Sequence, residues 1–235
     1  MSTMTDAQEA WTSIPGITVT VDESAIRVTS DKPLTVLSSA MIGGGLTEAH
    51  SIVNMRVEDV PPDARPADEL GAFAASLGIK GSFIGLMTAA KTEHGRLIEF
   101  TNGGLTVAAI VSVGLSNRVC AGMTLPAAAA PGTINAIVII NAALTPAALV
   151  NAVITTTEAK TSALASVDVR TTDDLPASGT STEAVVVACM GRGAPLDYAG
   201  PGPTVGWLTA RAVRQAIERI CHEQIARDGG RRVGW

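Results

Sequence analysis

Aromatic side chains are scarce in this chain of 235 residues: three Trp, one Tyr and three Phe, 3 % in all. Hydrophobic residues still make up 46 %, so a core has to be built from Ala, Val, Ile and Leu, which pack closely as layers of sheet and helix. Cysteine is also sparse. Cys120, Cys189 and Cys221 are an odd number without C-x-x-C spacing, a pattern that points to neither a disulfide framework nor a zinc knuckle and suits a reduced, cytoplasmic protein. Positive charge is in deficit, with a net charge of -5 and a pI near 5.2, which argues against a general affinity for nucleic acid. The six arginines near the end, Arg211, Arg214, Arg219, Arg227, Arg231 and Arg232, alternate with Glu218, Glu223 and Asp228 and read as the solvated face of a helix. Long apolar runs are missing too: "LTVAAIVSVGL" and "INAIVIINAAL" are shorter than the roughly 20 residues of a membrane span and are expected to be buried strands. The N-terminus, with Asp6 and Glu9, shows no basic and apolar leader. No metal-ligand pattern links the scattered His50, His94 and His222, so no metal is expected.

What the chain does have is an alternation of short β-branched runs with helical segments. "ITVTV", "SAIRVTS" and "PLTVLSSA" predict three strands, punctuated by "VDE" and "DKP". The glycines of "MIGGGLTEAHSIVNMRV" allow a tight loop before the chain becomes extended again. Beyond the proline-rich connection Val57–Pro66, "ADELGAFAASLG" predicts a helix with acidic residues in its first turn. A strand at "SFIGLMTAA", a hairpin through "HGRLIEFTNGG" and a buried strand in "PGTINAIVIIN" follow. Thr145 as N-cap and Pro146 at the first helical position start a long helix, and "PTVGWLTARAVRQAIERICHEQIA" closes the chain as another. No low-complexity linker divides the sequence. The expectation is a single layered domain over residues 1–235, α/β or α+β, with a mixed β-sheet flanked by helices.

Small polar clusters recur at the ends of the apolar strands: Ser38-Ser39-Ala40, Gly114-Leu115-Ser116-Asn117, Gly132-Thr133-Ile134-Asn135 and Gly179-Thr180-Ser181-Thr182-Glu183. Gathered at one sheet edge, such residues form a pocket of hydroxyls, amides and backbone N–H groups. "IGGGLTEAH" matches neither G-x-G-x-x-G nor G-x-x-x-x-G-K-[ST], so a nucleotide loop is not indicated. Of only four lysines, Lys91 and Lys160 share the pentapeptide T-x-A-K-T. In the long helix Asn151, Thr155, Glu158 and Ser162 form one stripe and Lys160 points roughly the opposite way, so a continuous helix cannot bring Glu158 and Lys160 into one pocket. A break in the β-branched run Ile154–Thr157 would lift that restriction.

Taken in order, "LSSAMIGGGLTEAHSIVNMRV", "GLMTAA", "VGLSN", "GTINAIVIINAALTPAALVNAVITTTEAKTSAL" and "SGTSTEAVVVA" resemble the adenosylcobinamide amidohydrolase family, over most of the chain from Leu34 onward. Where that pattern has G-T-G-T-D, this chain has Gly179, Thr180, Ser181, Thr182 and Glu183. The resemblance implies hydrolysis of the aminopropanol amide of adenosylcobinamide to adenosylcobyric acid and 1-amino-2-propanol, in corrinoid salvage. The corrinoid would be substrate and no cofactor is implied; a homo-oligomer stays open. Amide hydrolysis needs a nucleophile, an oxyanion site and a proton for the leaving amine. The candidates are a hydroxyl of Thr133 or Thr180, Ser38 or Ser39, or a water, activated by Glu158 or Glu183. Asn117, Asn135 and loop N–H groups would hold the oxyanion, with Lys160 as alternative base or proton donor. Gly43, Gly44, Asn54 and Thr182 complete the expected substrate-binding set. "TEAKT" lies in the segment that carries the resemblance, which favours Lys160 over Lys91. The competing reading is a non-catalytic module that binds a corrinoid or nucleotide.

Overall fold

The computed structural model describes residues 8–10, 12–58, 65–126 and 132–229. Asp6, Arg231, Arg232 and most of the proline-rich connection lie outside the described residues. Along the chain run β1 (Gln8–Ala10), β2 (Ile17–Val21), β3 (Ala25–Ser38), β4 (Gly45–Arg56), α1 (Pro66–Ser76), β5 (Ile84–Thr88), β6 (Arg96–Asn102), β7 (Leu105–Val113), β8 (Arg118–Val119), β9 (Ile134–Ile140), α2 (Pro146–Ser166), β10 (Gly179–Thr180), β11 (Ala184–Cys189) and α3 (Thr204–Arg227). Among the described residues nine strands join one mixed sheet in the order β1-β2-β3-β11-β9-β7-β6, with β4 on β3 and β5 on β4. β9 and β11 are parallel, as are β4 and β5, and the remaining pairs are antiparallel. The protein is an α/β domain built on a mixed sheet with helices, as the sequence predicts.

Strand alternation sorts the core into two faces. Val107, Ala109 and Val111 of β7 and Ile134, Ala136, Val138 and Ile140 of β9 pack against α2 and α3. Ala108 and Ile110 of β7 and Ile137 and Ile139 of β9 pack instead against Ile26 and Val28 of β3, Ile52 of β4 and Leu86 of β5. β3 and β4 therefore fold over the second face of the central strands, and α1 covers their outside through Leu70 on Val53 and Met55. The layers run helix, sheet, sheet, helix.

"DKP" does not end a strand. β3 runs through Asp31-Lys32-Pro33, and its pairing with β4 shifts register between Thr29 and Leu34. A bulge there accepts a proline, which has no N–H to give to the ladder, and lets two predicted strands become one long bent one. α2 starts as its sequence signals require: the Thr145 hydroxyl accepts the Ala148 N–H at 3.2 Å and Pro146 follows. It is unbroken through Ile154–Thr157, because Thr155 and Thr156 are buried packing residues and the Thr155 hydroxyl donates to Ala199 O at 2.8 Å. Tertiary packing overrides weak helix propensity. On α3 the arginines pair along the helix, Arg214 with Glu218 at 2.8 Å and Arg219 with Glu223 at 3.0 Å, and Arg211 lies 4.5 Å from the Phe100 ring. No helix of the described residues is long and apolar enough to cross a membrane.

Candidate active site

The strand pairing brings the C-terminal ends of β7 and β3 to the same sheet edge as the N-terminal ends of β9, β11 and β4. Three of the four polar clusters are bound together there. The two-residue ladder of β8 with β10 joins Gly114–Asn117 to Gly179–Glu183. Asn117 Nδ2 donates to Ser181 Oγ at 2.9 Å and Thr182 Oγ1 at 3.1 Å, and Asn117 O accepts the Ser181 N–H at 3.2 Å. Thr182 Oγ1 in turn donates to Gly132 O at 2.7 Å, and Thr180 Oγ1 accepts the Ile134 N–H at 3.2 Å. The fourth cluster joins from β3: Ser39 Oγ accepts the Val185 N–H at 3.0 Å. Ser38, buried, donates to Gly43 O at 3.3 Å.

On the helix side of this edge, Lys160 projects from α2 and is only 4 % exposed. It sits on the core-facing stripe that runs through Ala152, Thr156 and Ala163. A buried ammonium has to be paired, and Lys160 Nζ meets Glu183 Oε1 in an ion pair. The other carboxylate oxygen, Oε2, accepts the Thr180 N–H at 3.2 Å. Gly179 passes beside the pair so closely that a Cβ would lie 2.7 Å from Lys160 Nζ and would run into Glu183. Only glycine leaves that space. The Glu183 side chain keeps 28 % of its surface exposed, so the pair is closed toward the core and open toward solvent.

The opposite side of the same edge holds a neutral network. Asn135 Nδ2 donates to Asn54 Oδ1 at 2.8 Å and to Met87 O at 2.9 Å, and Asn54 Nδ2 donates to Ser112 Oγ at 2.9 Å. All three side chains are buried. The Met87 carbonyl can only accept, so it fixes the orientation of the Asn135 amide: both amide hydrogens are used and Oδ1 faces Thr133. Thr133, 3 % exposed, has its hydroxyl aimed at two acceptors, Asn135 Oδ1 at 3.1 Å and Thr182 O.

These contacts revise several expectations. Asn135 has no hydrogen left for an oxyanion, and Asn54 is too deeply buried to touch a ligand. Glu158 lies on the exposed surface of an unbroken α2, two residues from Lys160 and so about 200° around the helix from it. The polar stripe it belongs to faces elsewhere: Thr155 bonds Ala199 O, and Ser162 accepts from Arg214 at 2.9 Å. Gly43, at φ +69°, and Gly44 have a packing reason to be glycine, since a Cβ would lie 2.7 Å from Phe83 O at the first and 2.6 Å from Ala40 O at the second. Ser112 escapes the sequence analysis altogether, and Gly179 and the exposed Ser181 enter it only as members of a polar cluster, without a role of their own. Ser181 and Gly179 lie inside the quoted "SGTSTE", whereas Ser112, inside a strand, gives no local signal. Among the described residues no three His, Cys, Asp or Glu side chains are close enough to hold a metal. The thiols are free, and burial pushes Cys221 up to about 12. Exposed apolar side chains lie in the segments that flank this edge: Met41 in the β3–β4 turn, Leu46 at the start of β4, and Met123 and Leu125 in the segment after β8.

Comparison with known proteins yields one family. The model of adenosylcobinamide amidohydrolases matches residues 12–229. An adenosylcobinamide amidohydrolase of Halobacterium salinarum is 35 % identical over 185 residues, 74 % of this chain and 74 % of that protein. One of Methanosarcina mazei is 30 % identical over 189 residues, 77 % of this chain and 86 % of that protein. An uncharacterized protein of Methanocaldococcus jannaschii is 42 % identical over 88 residues, and the match spans 34 % of its length.

Proposed function

Since the chain belongs to the adenosylcobinamide amidohydrolase family and so is a hydrolase of amide bonds, we propose that it cleaves the aminopropanol amide of adenosylcobinamide, giving adenosylcobyric acid and 1-amino-2-propanol. The observation that carries the reading is the Lys160–Glu183 pair at the sheet edge, with glycine beside it at position 179. An acid and a base in contact, shut off from the core and open on one side, suit general acid–base hydrolysis.

In this mechanism a water bound at the mouth of the pair gives its proton to Glu183 while its oxygen adds to the amide carbonyl. Lys160 then protonates the leaving nitrogen, the C–N bond breaks, and the proton on Glu183 returns to Lys160 across their contact. The cycle ends with one water consumed, a carboxylic acid and an amine formed, and both side chains restored. The Ser181 hydroxyl, which accepts from Asn117 and keeps its own proton, is the donor offered to the oxyanion. Thr133 is a positioning residue: the oxygens that hold its proton belong to an amide and a peptide carbonyl, and neither is a base. The exposed apolar side chains of Met41, Leu46, Met123 and Leu125 suit a broad ring system held by its face. The protein would act in cytoplasmic corrinoid salvage, as a single domain that needs no metal or other cofactor.

The test is incubation of the purified protein with adenosylcobinamide, with and without chelator, and mass spectrometry of the products. Adenosylcobyric acid in both samples is the expected result. Retention of the corrinoid without cleavage would move the protein to the class of binding modules, and loss of product with chelator alone would make the reaction metal-dependent.

A further inference from the structure

Lys91, the lysine of the second T-x-A-K-T pentapeptide, has no place in the Lys160–Glu183 site. It lines a different cavity, of about 440 Å³, together with His94 and Arg227. This cavity lies between the loop after β5, the end of β7 and the C-terminal turn of α3. Its remaining wall is mixed: Ala89, Ala90, Val113 and Ile220 give an apolar patch, Gln224 is polar, and Asp228 is the acidic side chain of its lining.

The charge around it is uneven. Glu223 is the carboxylate for three guanidiniums: Arg96, which engages both its oxygens, Arg219 at 3.0 Å and Arg227 at 3.9 Å. Glu93 is 3.7 Å from Arg56. Lys91 is exposed and forms no ion pair among the described residues. The excess is felt at His94, where burial and then Arg227 push the imidazole below its ordinary value, Lys91 and Arg96 add to this, and Glu93 opposes it.

We propose that this cavity binds a phosphate ester, with the anionic head between Lys91, His94 and Arg227 and a small organic body against the apolar patch. A fork of guanidinium N–H groups beside a mobile ammonium is a donor set suited to phosphate. The volume lies in the range of pockets for small organic ligands rather than for a bare ion. The inference does not depend on the amidohydrolase reading, because it rests on other side chains. The two sites are neighbours, however: Gly114, in the cavity wall, donates its N–H to Thr133 O at 2.9 Å.

The experiment is imidazole NMR on the full chain at fixed ionic strength, titrated with AMP, with glycerol 3-phosphate and with inorganic phosphate. A bound dianion favours the charged imidazole, so a phosphate ester should raise the His94 pKa saturably, by about half a unit or more, and leave His50 and His222 unmoved. At least one ester should bind about threefold or more tighter than inorganic phosphate, and the tighter of the two identifies the organic body. Lys91→Gln alone should weaken the ester by about three- to tenfold. Lys91→Met combined with Arg227→Met should abolish the shift in a protein whose amide spectrum is otherwise that of the parent. The proposal is overturned if His94 is unmoved by all three probes, if the other two histidines move equally, if the shift survives the double substitution, or if inorganic phosphate binds as tightly as both esters.

Discussion

The two sides of the candidate edge are both polar and largely withdrawn from solvent, yet they are built differently. On the sheet side Asn54, Ser112, Asn135 and Thr133 satisfy one another and a backbone carbonyl without formal charge. On the helix side Lys160 and Glu183 carry opposite charges, and Glu183 opens to solvent. On the neutral side Asn135 and Thr133 have every donor engaged, Asn54 and Ser112 are buried, and the network fixes the strands. The charged side has protons to move and a route for water. In the proposed mechanism the same edge separates positioning from chemistry, and substitutions on its two sides should fail in different ways.

The largest effect is expected from Lys160→Met. Without the proton donor, kcat should fall by about 10²–10⁴-fold, while stability changes little because Glu183, with 28 % of its side chain exposed, can rehydrate. A product assay alongside thermal denaturation checks both halves. Gly179→Ala comes next: the added Cβ pushes into the ion pair, and a displacement of that kind should cost about tenfold to a hundredfold in kcat with about 1 kcal/mol or less of stability, because the ends of two flexible side chains can give way. On the neutral side the balance should reverse. Asn135→Ala strands Asn54 Oδ1 and Met87 O and should cost about 1–3 kcal/mol in urea denaturation, with a smaller loss of kcat than either helix-side change. The smallest effect belongs to Glu158→Gln, which should leave kcat within about twofold and stability within about 0.5 kcal/mol; a large loss there would return Glu158 to the site and dissolve the contrast.

Much of the architecture was legible because it rests on local signals. Thr145 and Pro146 mark the start of α2, the unbroken apolar run marks β9, and "HGRLIEFTNGG", read as a hairpin return, holds β6 and its turn into β7. The order of the layers was not legible. It depends on β3 continuing through Asp31-Lys32-Pro33, which in turn depends on a register shift against β4, and register is a property of two strands rather than one. In the site, helical spacing shows that Glu158 and Lys160 exclude each other, but only the packing of α2 says which one faces the edge. The role of Asn135 is set by the carbonyl of Met87, 48 residues away, and no local pattern carries it. Lys91 shares its pentapeptide with Lys160, yet lines a separate cavity.

In the proposed mechanism the Lys160–Glu183 pair does the chemistry. The most direct test of this is a Glu183→Gln protein mixed with adenosylcobinamide, with bound corrinoid and released adenosylcobyric acid measured in the same samples. Turnover should fall by about 10²–10⁴-fold, with binding within about threefold of the parent protein. Turnover unchanged, or reduced only in proportion to binding, would contradict that mechanism.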